Sequence, residues 1–202
     1  MVELYIVRHG ETDTNYEGRI NGRSTDKPLN AKGIQQVEEL EKHLDINMFD
    51  EVYSSPLLRA MQTAKILNQD VHEIKTDDRL YEADYGSWDG LTEEETFKAH
   101  PDAFDENHYL LPNYTQYAEG GEEYADVYKR AEAFMDDMAK KGDEKILVVC
   151  HGFLSRAFLK VVTGAQDISK IIQPRNAGVC KYRLSANGNK YLIYYGRKNE
   201  ID

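Results

Sequence analysis

Cysteine is scarce in this chain: only Cys150 and Cys180 occur among 202 residues. Both stand in apolar, strand-like surroundings far apart in sequence, so a disulfide scaffold is not required and they read as buried free thiols of a reducing compartment. Long apolar runs are missing as well. No segment approaches the roughly 20 apolar residues that a membrane-spanning helix needs, and the first residues lack the charged start, apolar block and small-residue cleavage site of a secretory signal. A cytoplasmic protein with no membrane partner is the expectation. Positive charge is in deficit: 25 Lys and Arg stand against 36 Asp and Glu, a formal net charge of −11. That balance argues against a general affinity for nucleic acid or anionic lipid, and an anionic ligand would need a local cluster of cations. The five prolines are scattered. With no Pro/Gly/Ser linker and no internal period, neither tethered domains nor a repeat array is expected.

What is present is an alternation of short apolar runs with helical periodicity, the pattern of a sheet covered by helices. Residues 3–7 read as a first strand. Ala31 to Leu44 then places Ile34, Val37, Leu40 and Leu44 on one helical face. Glu51 to Ser54 reads as a second strand, and Pro56 as a residue of the first turn of the helix that follows. A helix begins near Glu122 and runs to Met138, and KILVVC (145–150) is the most apolar strand, followed at once by the helical HGFLSRAFLKVVTG. Two β-rich segments near the end flank SANGN, whose Asn187-Gly188 predicts a hairpin turn. Between Tyr81 and Glu122 the pattern dissolves into an acidic, aromatic stretch, which could be a lid or a small satellite core.

Three strands end in polar residues: Arg8-His9, then Ser54-Ser55 with Arg59 shortly after, then His151-Gly152. Ligands of open α/β sheets gather at the carboxyl ends of strands. If these strands are parallel neighbours, two arginines and two histidines converge there, and such a group suits a phosphate. Guanidinium groups match phosphate oxygens with forked hydrogen bonds, while a neutral imidazole offers a nitrogen lone pair that can attack phosphorus. A carboxyl beside bound phosphate has its pKa raised and can protonate a leaving alkoxide. Glu82 is the candidate acid, with Asp84 in reserve.

RHGET (8–12) resembles the signature of the histidine phosphatase superfamily, which includes cofactor-dependent phosphoglycerate mutases and many phosphatases. The resemblance continues in family order through Asn15, GRINGRSTDKPLNAKG (18–33), SSPLLRAMQTA (54–64), LYEADYGSWDG (80–90), VVCHGFLSRAFL (148–159) and Asn176. It implies one domain over residues 1–202, a three-layer α/β/α sandwich with a mostly parallel central sheet and a lid-like insertion at about 83–122. It also implies that His9 is a nucleophile forming a phosphohistidine, that Arg8, Arg59 and His151 grip the phosphoryl oxygens, and that Glu82 is the acid. Thr12, Asn15, Arg19, Tyr85, Gly152 and Asn176 would contact the substrate, a small phosphate ester. No metal or other cofactor is expected.

Other residues have competing readings. His43, His72, His100 and His108 lie in polar segments without metal-ligand spacing. Cys150 points to the opposite face from His151 and reads as core. Arg19, Arg23 and Arg156 could each face the site or be solvated charges. Mutases of the family resemble one another in having arginine, histidine and tyrosine directly after the acid, whereas this chain has Ala83, Asp84 and Tyr85. Apart from histidine, the only cation between Tyr81 and Glu122 is Lys98. A phosphatase is therefore favoured over a mutase or a non-catalytic phosphate-ester binder, with an aromatic lid suggesting a hydrophobic or neutral leaving portion. Either a monomer or a homodimer is compatible with the sequence.

Overall fold

Parallel strands covered on both faces are near-continuous apolar runs, and the computed structural model, which describes residues 1–166, 168–199 and 201, pairs the two clearest runs side by side. The strands are β1 (Val2–Arg8), β2 (Glu51–Ser54), β3 (Ile74–Thr76), β4 (Lys145–Cys150), β5 (Val179–Leu184) and β6 (Lys190–Arg197). They form one sheet in the order β3-β2-β4-β1-β5-β6. The β3-β2, β2-β4 and β4-β1 pairs are parallel, whereas β5 and β6 form an antiparallel hairpin added beside β1. The helices are α1 (Asp13–Tyr16), α2 (Ala31–Glu41), α3 (Leu58–Asn68), α4 (Glu93–Ala99), α5 (Tyr124–Met138) and α6 (Gly152–Thr163). Among the described residues none is long and apolar enough to cross a membrane.

Both faces of the central strands are buried, and β4 shows how. Ile146, Val148 and Cys150 enter the core formed with α5 and α6, while Leu147 and Val149 enter the core formed with α2 and α3. Each fully buried aliphatic side chain stabilises by about 1.5–3 kcal/mol. A one-residue slip would exchange the two faces, so burial fixes the register. That register pairs Val7 with Val149 and Ser54 with Val149, which brings the ends of β1, β4 and β2 level.

The expected helix at residues 31–44 ends earlier, at Glu41, and its buried face is Gly33, Val37 and Leu40, with Ile34 left 39% exposed. Close approach explains the rotation: a Cβ on Gly33 would lie 2.0 Å from the Glu11 carbonyl, so the backbone of α2 packs directly on the loop after β1. Pro56 precedes the helix instead of opening it; α3 starts at Leu58, whose N–H is taken by the Asp26 carboxylate at 2.6 Å. Strand β3 has no counterpart in the sequence reading. Its three residues, Ile74, Lys75 and Thr76, sit at the sheet edge without a fully buried side chain, so no apolar run marks them.

The segment between Tyr81 and Glu122 holds α4 and several single turns, and its aromatics pack on one another. Trp88 stacks near-parallel with Tyr117 (interplanar 5°) and Phe104 (12°), and Tyr114 is fully buried. Trp88, Phe104 and Tyr114 belong to the core on the α5–α6 side.

Candidate active site

The level strand ends place three side chains together. Beyond the last paired residues the ladder continues by one step: His9 N–H donates to the Cys150 carbonyl (3.0 Å) and Ser55 N–H to the Val149 carbonyl (2.9 Å). His9 and His151 therefore face each other with ring centres 5.2 Å apart. His151 Nε2 lies 2.8 Å from Ser55 Oγ. Both imidazoles are buried.

His9 Nδ1 lies 2.6 Å from the Gly10 carbonyl oxygen. A carbonyl only accepts, so Nδ1 carries the proton and Nε2 keeps its lone pair. Burial first, then the Arg59 and Arg8 guanidiniums, hold the pKa of His9 well below the ordinary imidazole value. His151 is held low by burial and by Arg59 in the same way. Neither ring is charged at neutral pH.

Arg8 donates from Nη1 to the Pro174 carbonyl (2.7 Å), and its Nε is buried without a hydrogen-bond partner. Arg59 is fully buried at the start of α3; Nη1 donates to the Thr25 carbonyl and Nη2 to those of Asn21 (3.3 Å) and Gly22 (3.0 Å). Its Nε also lacks a partner. Burial pushes Arg59 down to about 10, which still leaves it protonated at neutral pH. The loop that holds Arg59 is itself tied to one carboxylate: Asp89 accepts from Gly22 N–H (2.8 Å), Ser24 N–H (2.6 Å) and the Thr25 hydroxyl (2.7 Å).

Glu82 is 5% exposed and lies against the first turn of α6. Its carboxyl accepts from the N–H groups of Phe153 (3.0 Å), Leu154 (3.2 Å) and Ala83 (3.0 Å). Burial raises its pKa, and these bonds together with Arg59 only partly offset the rise. The carboxyl is therefore biased toward holding a proton. A second negative charge placed nearby would raise the pKa further.

Arg8, His9 and Glu82 border a cleft of about 100 Å3. Of the residues expected from sequence, Arg8, His9, Asn15, Arg19, Glu82, Tyr85 and Gly152 line it. Arg59 and His151 lie behind this lining, fully buried. Arg19 reaches the cleft from its rim, ion-paired to Glu17 at 2.6 Å. Gly152 lets the start of α6 approach Arg8 closely: a Cβ there would lie 3.2 Å from Arg8 Cζ and would displace the Gln173 amide.

Two expected contacts fall outside the lining. Thr12 is fully buried and caps α1, accepting from Asn15 N–H and from Asn21 Nδ2. Asn176 donates from Nδ2 to the His9 carbonyl at 3.0 Å, so it fixes the backbone of His9. Conversely, His108 and Tyr109 line the cleft without having been expected there, and Arg156, left open between the site and solvent, lines it as well. Arg156 had a usable signal: it falls four residues after Gly152 on α6, hence on the same helical face. His108 and Tyr109 come from an irregular loop with no such periodicity. Arg23 stays outside, its guanidinium 4.2 Å over the Tyr81 ring. Cys150 is core, within 3.7 Å of Ser155 Oγ. Among the described residues no cluster of three or more His, Cys, Asp or Glu is placed to hold a metal ion.

Comparison with known proteins shows the family and the fold. The family described as the histidine phosphatase superfamily (branch 1) matches residues 4–195. Phosphoserine phosphatase 1 of Hydrogenobacter thermophilus is 33% identical over 172 residues, 84% of this chain and 80% of that protein. The metal-independent phosphoserine phosphatase of Arabidopsis thaliana is 31% identical over 176 residues, 85% of this chain and 73% of that protein. Among solved structures, Bacillus stearothermophilus YhfR superposes with a TM-score of 0.87 at 27% identity, covering 100% of both chains.

Proposed function

The chain belongs to the histidine phosphatase superfamily, and from that membership we propose that it is a metal-independent phosphomonoesterase acting on small phosphate esters. The observation that carries the reading is the tautomer of His9: with Nδ1 bonded to the Gly10 carbonyl and the ring neutral, Nε2 presents a lone pair beside two guanidiniums. In the proposed reaction His9 Nε2 attacks phosphorus and the ester P–O bond breaks. Glu82 gives its proton to the departing oxygen. Glu82, now a carboxylate, takes a proton from the water that attacks the phosphohistidine, which releases inorganic phosphate and restores the neutral ring. Arg8, Arg59 and neutral His151 donate to the equatorial oxygens, where charge accumulates. Two free cysteines support a reducing, cytoplasmic setting.

The test is phosphate release from a panel of monoesters with chelator present, run beside an assay for 3-phosphoglycerate isomerisation. Metal-independent release that outpaces isomerisation is expected. An acid-labile phosphoenzyme should be trapped in the wild type and be lost in His9→Ala. Turnover by His9→Ala at the wild-type rate, or isomerisation faster than release, would overturn the reading.

A further inference from the structure

One cation of the cleft plays no part in the chemistry above. Arg156 is 3% exposed yet lines the cleft, on the same face of α6 as Gly152 and about 6 Å further along the helix axis. Gly152 abuts Arg8, so Arg156 lies about one turn beyond the residues that would grip a phosphoryl group. Its Nη2 donates to the Ile168 carbonyl at 2.7 Å, and its Nε is buried without a hydrogen-bond partner. The guanidinium lies 4.4 Å over the Tyr109 ring and 5.7 Å from the centre of Phe153. Those rings attract a cation but supply no anionic oxygen.

Arg156 shares with Arg8 and Arg59, the phosphate-site cations, hydrogen bonds to backbone carbonyls alone, and it contrasts with four arginines that lie outside that group. Arg19, Arg79, Arg130 and Arg183 each have a carboxylate partner, Glu17, Asp77, Glu122 and Glu3 respectively. Arg156 has none among the described residues, although it is more buried than any of those four. A desolvated charge without a counter-ion is costly, and a fork of N–H donors is shaped for a carboxylate. Glu82 does not serve: its oxygens accept from the N–H groups of Ala83, Phe153 and Leu154, and Arg156 donates to the Ile168 carbonyl instead.

We propose that Arg156 binds a carboxylate of the substrate, so that the preferred substrates are small phosphate monoesters bearing a carboxylate within about one helical turn of the phosphorus. The proposal rests on the phosphatase reading and narrows its substrate class. It also replaces the neutral leaving portion suggested by the aromatic, cation-poor stretch between Tyr81 and Glu122: the cation comes from α6 and stacks against Tyr109 of that stretch.

The experiment compares kcat/KM for matched esters that differ only at the carboxylate: phosphoserine against phosphoethanolamine, and 3-phosphoglycerate against glycerol 3-phosphate. Charge-assisted hydrogen bonds predict a wild-type preference of about 10- to 100-fold for the carboxylate-bearing member of each pair. Arg156→Gln should erase the preference. Arg156→Lys, which keeps the charge without the fork, should retain part of it and guards against loss of fold in the first variant, as checked by circular dichroism. Equal kcat/KM within both pairs for the wild type, or a preference that survives in Arg156→Gln, would overturn the proposal. p-Nitrophenyl phosphate separates the two readings: if the wild type hydrolyses it without preference in either pair, only the carboxylate site fails. If the wild type hydrolyses none of the five esters, the phosphatase reading fails and this proposal with it.

Discussion

Lowering the pH from 7.5 to 5.5 should destabilise this protein through the two histidines at its strand ends. In the unfolded chain His9 and His151 titrate near pH 6.5, so they take up protons across this window. In the folded protein burial and the neighbouring arginines hold both pKa values well below 6.5, so the rings take up fewer protons there than in the unfolded chain. The unfolded state thus binds more protons, and stability falls as the pH falls. For a group that titrates only when unfolded, that drop from one unit above the unfolded pKa to one unit below costs about 1.4 kcal/mol, hence about 2.7 kcal/mol for the pair. Glu82 acts in the opposite sense: its raised pKa contributes stability at low pH that is lost as the pH rises through the folded value. A variant therefore has to isolate the histidines. In His9→Asn the amide nitrogen takes the place of Nδ1 and can still donate to the Gly10 carbonyl, and in His151→Gln it takes the place of Nε2 next to Ser55. Urea unfolding in phosphate-free buffer at both pH values should show the wild type losing about 2.7 kcal/mol more than the double variant. An extra loss of about half that size would mean that one imidazole titrates in the native state, and equal losses would refute the reasoning, since the pair would then take up protons when folded as it does when unfolded.

Three further outcomes follow from the same geometry. Glu82→Gln should slow hydrolysis of alkyl phosphates by about 10²- to 10⁴-fold while slowing p-nitrophenyl phosphate far less, since a good leaving group needs little protonation; equal losses on both esters would remove Glu82 from the acid role. Asp89→Asn turns one oxygen that accepts backbone N–H groups into a donor, which should cost about 1–3 kcal/mol in urea unfolding. Because the loosened loop positions Arg59, kcat/KM should fall as well, and unchanged kinetics would show that Arg59 does not depend on that loop. In Gly33→Ala the new methyl would lie 2.0 Å from the Glu11 carbonyl, forcing α2 away from the loop after β1, at a cost of about 1–3 kcal/mol read as a lowered urea midpoint.

Much of the sheet was legible because its information is local. KILVVC and the run before Arg8 are apolar on both faces, and each is followed directly by the polar residues that β1 and β4 deliver to the site. His9 and His151 could therefore be found by reading where strands end. Strand β3 could not, because three half-covered edge residues leave no pattern. The rotation of α2 also escaped the sequence: Ile34 and Val37 are alike in character, and only the contact between Gly33 and Glu11 decides which of them is buried.

The sequence by itself determined the kinds of group available, namely a cation and an imidazole at one strand end, an imidazole at another, and an acidic chain in which any cation cluster must be local. Tertiary structure decided how those groups are poised. Arg59 is aimed by carbonyls more than 30 residues away in sequence, which Asp89 in turn holds in place. Glu82 is set against the N–H groups of a helix that begins 70 residues later. Arg156 becomes a buried cation without a carboxylate partner only because an aromatic loop folds over it. Periodicity and composition describe neighbours along the chain, whereas desolvation and charge pairing depend on neighbours in space, and these set the pKa values and the free donors of the site.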